Sequence, residues 1–292
     1  MVQFSARDFG FSVFTFYNDY CIFFTFWSDI SNKKVKFEAY LNAMNFIKNN
    51  LANALTLGNL FCGCIAVIHI INHNYHIAAV CLVLSLALDF FDGFVARALK
   101  SNSNLGAQLD SLADMVSFGL VPGLVMLNAF ANNGNELFGI TPPFELKYFG
   151  LFITLFSCLR LAIFNLDEEQ TYYFKGLNTP SNTILIFGIL YFLGESSNQF
   201  TGESSNQFTS AFTFNFSNEI LFIFTILSSW LLISPIKMIA MKFKSKKLED
   251  NYPKVFLVIG SLLIMAIFRL AGIPLVIIYY ILISILFQKQ LK

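Results

Sequence analysis

The sequence predicts an all-α, polytopic membrane protein folded as a helical bundle, and three observations carry that prediction. Only 13% of the 292 residues are charged, where soluble domains carry about 25%. Hydrophobic residues make up 56%, with Phe alone at 36 positions, an apolar surplus that needs lipid as its solvent. Stretches long enough to cross about 30 Å of hydrocarbon recur from residue 53 to the end. This balance excludes a soluble enzyme or a nucleic-acid binder, and a net charge of +1 supplies no pull toward a polyanionic partner.

Eight spans are read, at 53–72, 75–99, 108–131, 146–166, 182–194, 218–235, 254–270 and 272–288. The fifth is short unless it begins near Thr179. The last two are separated by little more than Arg269 to Pro274, so seven is the alternative count. Lys33, Lys34, Lys36 and Lys48 precede the first span, Arg97 and Lys100 end the second, and a basic cluster runs from Lys237 to Lys254. Lys289 and Lys292 fall on the same side, against mainly Lys147 and Arg269 on the other. The positive-inside rule therefore places both termini and the loop from Lys100 to Leu105 in the cytoplasm.

Residues 1–43 are aromatic but unpatterned, with Asp19 and Asp29 interrupting the run, so neither a spanning helix nor a signal peptide is expected there. Met44 is an alternative start. The octapeptide GESSNQFT occurs at 194–201 and again at 202–209, which reads as an insertion tolerated in an outer loop. Five scattered Cys give no disulfide framework and no zinc spacing. His69 and His73 are four apart, but they lie at the far end of the first span and read as interfacial or core residues.

The chemistry is carried by acids. Between Glu38 and Glu136 the only acidic residues are Asp89, Asp92, Asp110 and Asp114. Their spacings, three and four, put each pair on one helical face. The short polar turn Ser101-Asn102-Ser103-Asn104 makes the two helices antiparallel, so the pairs converge near the cytoplasmic surface. Four carboxylates placed together repel one another unless cations intervene, and hard oxygen ligands select Mg²⁺ or Mn²⁺, here two ions. Gly93 and Ala96, one turn beyond the first pair, and Gly106, one turn before the second, leave room for something bulky. Arg97 offers a fork of donors for a phosphate and Ser103 a hydroxyl. The plainer alternative is close helix packing at the small residues and snorkelling by Arg97.

These residues spell Asp89-x-x-Asp92-Gly93-x-x-Ala96-Arg97 followed by Gly106-x-x-x-Asp110-x-x-x-Asp114, which resembles the complete signature of the CDP-alcohol phosphatidyltransferase family. The resemblance covers six spans, about residues 50–235, and leaves two C-terminal helices as an extension. It implies a binuclear site for the pyrophosphate of a CDP-linked lipid. Asp89, Asp92, Asp110 and Asp114 would be metal ligands, with Asp114 also the catalytic base. Asn53, Thr56, Gly93, Ala96, Arg97, Ser103 and Gly106 would bind the CDP-lipid. Domains follow: 1–43 an N-terminal extension, 44–235 the catalytic transmembrane core, 236–253 a basic cytoplasmic loop, and 254–292 a C-terminal transmembrane hairpin.

Weaker strings point to a branch: Asn53-Ala54-Leu55-Thr56-Leu57-Gly58-Asn59, Asp110-Ser111-Leu112-Ala113-Asp114-Met115-Val116-Ser117-Phe118-Gly119, Arg160-Leu161-Ala162-Ile163-Phe164-Asn165 and Phe174-Lys175-Gly176-Leu177. Together they resemble bacterial membrane-integral phosphatidylserine synthases. That implies CDP-diacylglycerol and L-serine as substrates, membrane lipid as surroundings, a homodimer, and a multi-pass protein of the bacterial inner membrane with its site facing the cytoplasm. Arg160 and Lys175 would bind the acceptor. The sequence departs from the pattern at Ala52 and Asn178, where Pro is usual, and at Ile163, where a second Arg is usual; these positions bear on the acceptor pocket and not on the metal site. Asp167, Glu168 and Glu169 read as a solvated loop, and the lysines after Lys237 as topology and headgroup attraction. Glycerol 3-phosphate or an inositol phosphate is the alternative acceptor, and a cation transporter is the alternative of a different class.

Overall fold

The computed structural model describes residues 33–99, 104–167, 173–199, 216–240 and 252–288, with side chains from residue 50 onward except Tyr173 and 193–199. It is the all-α, membrane-spanning architecture expected. Five helical runs are long and apolar enough to cross a membrane, and Thr179–Phe192 and Asn218–Ile233 are shorter apolar helices. Large apolar side chains such as Phe61, Ile68, Val83, Phe90 and Leu155 are exposed, as a lipid solvent allows. The core instead gathers around Phe118, Val125, Met126 and Phe130.

Helix α1 spans Lys33–Ile71, so it begins well before residue 53, inside the segment read as unpatterned; residues 1–32 lie outside the described part. From Leu51 it belongs to the bundle. It ends where His73 takes a left-handed φ of 55° and the His73 and Asn74 amides return to the carbonyls of Ile70 and His69. Asn74 then caps α2 (Tyr75–Ala98), its side chain accepting from the Ile77 amide at 3.3 Å. The turn is therefore tight and α1 and α2 form an antiparallel pair.

The third span is not one regular helix. It comprises α3 (Asn104–Asp114), a π-helical turn (Met115–Leu120) and α4 (Val121–Ala131). Pro122 has no amide hydrogen to give to the Phe118 carbonyl one turn earlier, and Thr183 Oγ1 supplies that bond from another helix at 2.8 Å. Thr154 Oγ1 does the same for Gly119 at 3.1 Å. The widened turn thus starts immediately after Asp114, a placement common at functional sites.

A 3₁₀ turn (Leu146–Leu151) leads into α5 (Phe152–Leu166). Gly150 permits this, since a Cβ there would lie 2.5 Å from Leu127 N and 2.8 Å from Met126 C. Helix α6 (Thr179–Gln199) does begin at Thr179, with Pro180 in its first turn. It also continues through most of the first GESSNQFT copy, where the sequence predicts a loop; polar residues of this kind do not break a helix. The second copy lies outside the described residues. Helix α7 (Asn218–Ile233) stops before Ser234-Pro235.

Two three-residue strands were not anticipated. β1 (Tyr173–Lys175) pairs antiparallel with β2 (Lys237–Ile239), Lys175 opposite Lys237. Beyond β1, Gly176 sits at φ 74° and the amides of Gly176 and Leu177 satisfy the carbonyls of Ile236 and Leu231 at 2.9 Å each.

Helices α8 (Tyr252–Phe268) and α9 (Gly272–Leu286) form a hairpin: Tyr279 Oη donates to the Phe256 carbonyl at 2.9 Å, and the Tyr252 and Phe287 rings meet at 5.4 Å. Gly188 of α6 packs against Pro274. Tyr280 donates to the Ile239 carbonyl at 3.1 Å while the Ile239 amide donates to Ser284 at 3.3 Å, so α9 grips both backbone groups of one residue in β2.

Candidate active site

The acidic site forms where α2 ends and α3 begins. Asp89 and Asp92 project from the last turns of α2, and Asp110 and Asp114 from α3. Carboxylate oxygens of Asp89, Asp92 and Asp110 all lie within 4.8 Å of one another. Asp114 reaches the same group, its carboxyl close enough to hydrogen-bond with that of Asp89. Asp92 and Asp114 are buried, at 5% and 8% exposure. Among the described residues no Lys or Arg forms an ion pair with any of the four; Arg97 acts on Asp92 only through its field. Buried carboxylates packed without a cation are costly. A divalent metal fits this donor set: several oxygens converge, and among the described residues no side chain supplies the missing positive charge by an ion pair.

Helix α1 fixes the acids from one side. Thr56 Oγ1 donates to Asp92 Oδ2 at 2.6 Å, and Asn59 Nδ2 donates to Asp114 Oδ1 at 3.4 Å. The Asn59 amide is itself oriented, because Ser85 Oγ donates to its Oδ1, while Ser117 Oγ donates to its backbone carbonyl at 3.2 Å. This needs α1 close to the π turn. Gly63 allows it, since a Cβ there would overlap Ser117 Oγ.

A cleft of about 460 Å³ opens beside the acids. Of the residues expected to hold the CDP-lipid, Asn53, Thr56, Gly93, Ala96, Arg97 and Gly106 line it together with Asp92 and Asp110. Ser103 lies outside the described residues. Ala52, Asn104 and Ala107 complete the wall. Small residues at 52, 93, 96, 106 and 107 leave backbone as its floor, and Arg97 brings a guanidinium to its edge.

The two residues expected at the acceptor, Arg160 and Lys175, do not line this cleft. Arg160 of α5 is 9% exposed, its guanidinium 4.8 Å over the Phe164 ring, in the field of Asp114 and Tyr280. Lys175 Nζ is held by Asp167 Oδ2 at 2.8 Å, and that acid's side chain is only 15% exposed. Asp167 is therefore a paired group and not the solvated one expected. Asn59 and Ser117, which stand in the quoted strings, and Ser85 and Tyr280, which do not, have no role assigned from the sequence. Their one signal was polarity inside apolar spans, which does not name a partner.

Comparison with known proteins agrees with this geometry. The model of the CDP-alcohol phosphatidyltransferase family matches residues 49–241. A Bacillus subtilis protein named CDP-diacylglycerol–serine O-phosphatidyltransferase is 33% identical over 132 residues, 45% of this chain and 70% of that one. A Saccharomyces cerevisiae protein of the same name is 30% identical over 173 residues, 53% of this chain and 59% of that one. A Helicobacter pylori protein of that name is 30% identical over 136 residues, 46% of this chain and 54% of that one. The chain thus spans 70% of the Bacillus protein and between half and two thirds of the other two.

Proposed function

The chain belongs to the CDP-alcohol phosphatidyltransferase family, and from that premise we propose that it transfers the phosphatidyl group of CDP-diacylglycerol to L-serine, giving phosphatidylserine and CMP. The observation that carries the reading is one juxtaposition: four carboxylates, without an ion pair among the described residues, stand beside a small-residue cleft that Arg97 also lines. The serine acceptor rests on the names of the relatives.

In this reading the cytidine and pyrophosphate enter between α1, α2 and α3. Gly93, Ala96 and Gly106 let them approach the backbone, and Arg97 binds a phosphate oxygen. Two divalent ions, Mg²⁺ or Mn²⁺, held by Asp89, Asp92, Asp110 and Asp114, would neutralise the pyrophosphate and the charge that grows on it. Asp114 takes the proton of the serine hydroxyl. The serine oxygen bonds to the phosphorus of the lipid phosphate, and the bond from that phosphorus to the CMP oxygen breaks. Asn59 keeps the Asp114 carboxylate aimed. The Lys and Arg distribution supports a site at the cytoplasmic face of a bacterial inner membrane, and the protein works there as a homodimer.

The test is to offer labelled serine, glycerol 3-phosphate and inositol phosphate to the same membranes in parallel; serine is expected to be incorporated and the other two not. Arg160→Lys refines it. A point charge replaces a fork that fits a carboxylate, so the apparent KM for serine should rise about tenfold with that for CDP-diacylglycerol little changed. An equal rise for both substrates would remove Arg160 from the acceptor side.

A further inference from the structure

Three helices meet in a layer just beyond the acidic site. There the Phe118 carbonyl accepts from Thr183 of α6, and a Cβ on Gly119 would touch Ser157 of α5 at 3.3 Å. One helical turn back toward the acids, each of these elements presents a polar residue: Asp114, Arg160 and Thr179. Asn182, on the same α6 turn, accepts from Ser228 of α7 through Oδ1 at 2.7 Å.

Several of these groups lack partners. Thr179 Oγ1, Asn182 Nδ2 and Ser229 Oγ are buried without a hydrogen bond, in residues 0%, 0% and 4% exposed. Among the described residues Arg160 has neither an ion pair nor a hydrogen bond, and its guanidinium lies over the Phe164 ring. Unsatisfied donors are costly where lipid excludes water. These groups stand on α6 and α7, both packed against the helix that carries Arg160, and together with that guanidinium they point to a polar ligand.

Their chemistry describes that ligand. The guanidinium and the Asn182 NH₂ only donate, and ask for anionic oxygens. Because Ser228 occupies Oδ1, the amide is turned so that Nδ2 is the free end. The hydroxyls of Thr179 and Ser229 can accept from an ammonium. Resting on the function proposed above, we propose that Thr179, Asn182 and Ser229 complete, with Arg160, a pocket for a small zwitterionic α-amino acid on the side of Asp114 away from the CDP cleft. The carboxylate lies on Arg160 and Asn182, the ammonium on the two hydroxyls, and the side-chain hydroxyl turns toward Asp114. Thr179, Asn182 and Ser229 thereby determine acceptor specificity.

The experiment uses full-length protein in membranes and separates the two substrates. Thr179→Val keeps shape without the hydroxyl, and Asn182→Asp puts an acceptor where the free donor stood. Each should raise the apparent KM for L-serine about tenfold while that for CDP-diacylglycerol stays within about twofold. A merely structural role would lower protein yield or move both constants. If either variant fails to insert, Ser229→Ala, the smallest change, is read the same way. An unchanged serine KM in the inserted variants overturns the pocket and leaves the proposed function standing. Wild-type membranes that make no phosphatidylserine would overturn both.

Discussion

Asp114→Asn, and equally Asp89→Asn, Asp92→Asn or Asp110→Asn, should reduce phosphatidyl transfer by roughly 100-fold or more, the scale of losing one electrostatic stabiliser of a reacting phosphate. Oxygens of Asp89, Asp92 and Asp110 lie within 4.8 Å of one another and the Asp114 carboxyl reaches that of Asp89, so removing any one charge weakens the whole site. Folding should not suffer. Asn keeps the shape, can still accept from Thr56 at position 92 or from Asn59 at position 114, and relieves repulsion in a cluster that has no ion pair among the described residues. Variant protein should therefore accumulate in the membrane at wild-type levels and, with metal removed, melt no earlier than wild type. Activity and melting measured on the same preparations separate these effects. Full activity in any two of the four variants would contradict a shared metal site.

Gly93→Leu should be nearly as damaging by a different route. A Cβ at Gly93 would meet Arg97 Nη1 at 3.6 Å, an ordinary contact, so the protein can accept the side chain. The cleft cannot, because Gly93 is part of its wall and the volume is about 460 Å³. The expected outcome is inserted protein whose apparent KM for CDP-diacylglycerol rises about tenfold or more, with Gly93→Ala intermediate. Gly63→Val gives the contrast. Its side chain would overlap Ser117, within the packing that holds Asn59 on Asp114, so this variant should lose folded protein. If Gly93→Leu binds CDP-diacylglycerol normally, the cleft is not the nucleotide site.

The acids were legible before any coordinates because helical spacing is a strong constraint: residues three or four apart share a face, and a short polar turn makes neighbours antiparallel. That placed Asp89, Asp92, Asp110 and Asp114 together and put Gly93, Arg97 and Gly106 beside them. The contact from Asn59 to Asp114 crosses 55 positions and has no periodic signature. The π turn depends on Thr183 satisfying a carbonyl that Pro122 leaves open, a tertiary event that local pattern does not record. The β1–β2 ribbon is three residues a side, too short for alternation to show. The polar end of α6 and the early start of α1 at Lys33 carry no apolar run to mark them, although their residues tolerate a helix.

The most direct measurement is the metal dependence of the reaction itself. Purified full-length protein in mixed micelles, stripped with chelator, would be given CDP-diacylglycerol and labelled serine, and phosphatidylserine and CMP would be counted together. The expected result is no product until Mg²⁺ or Mn²⁺ is restored, then lipid and CMP in equal amounts. Phosphatidylserine formed at full rate in the chelated sample, or metal-restored protein that forms none, would contradict the account.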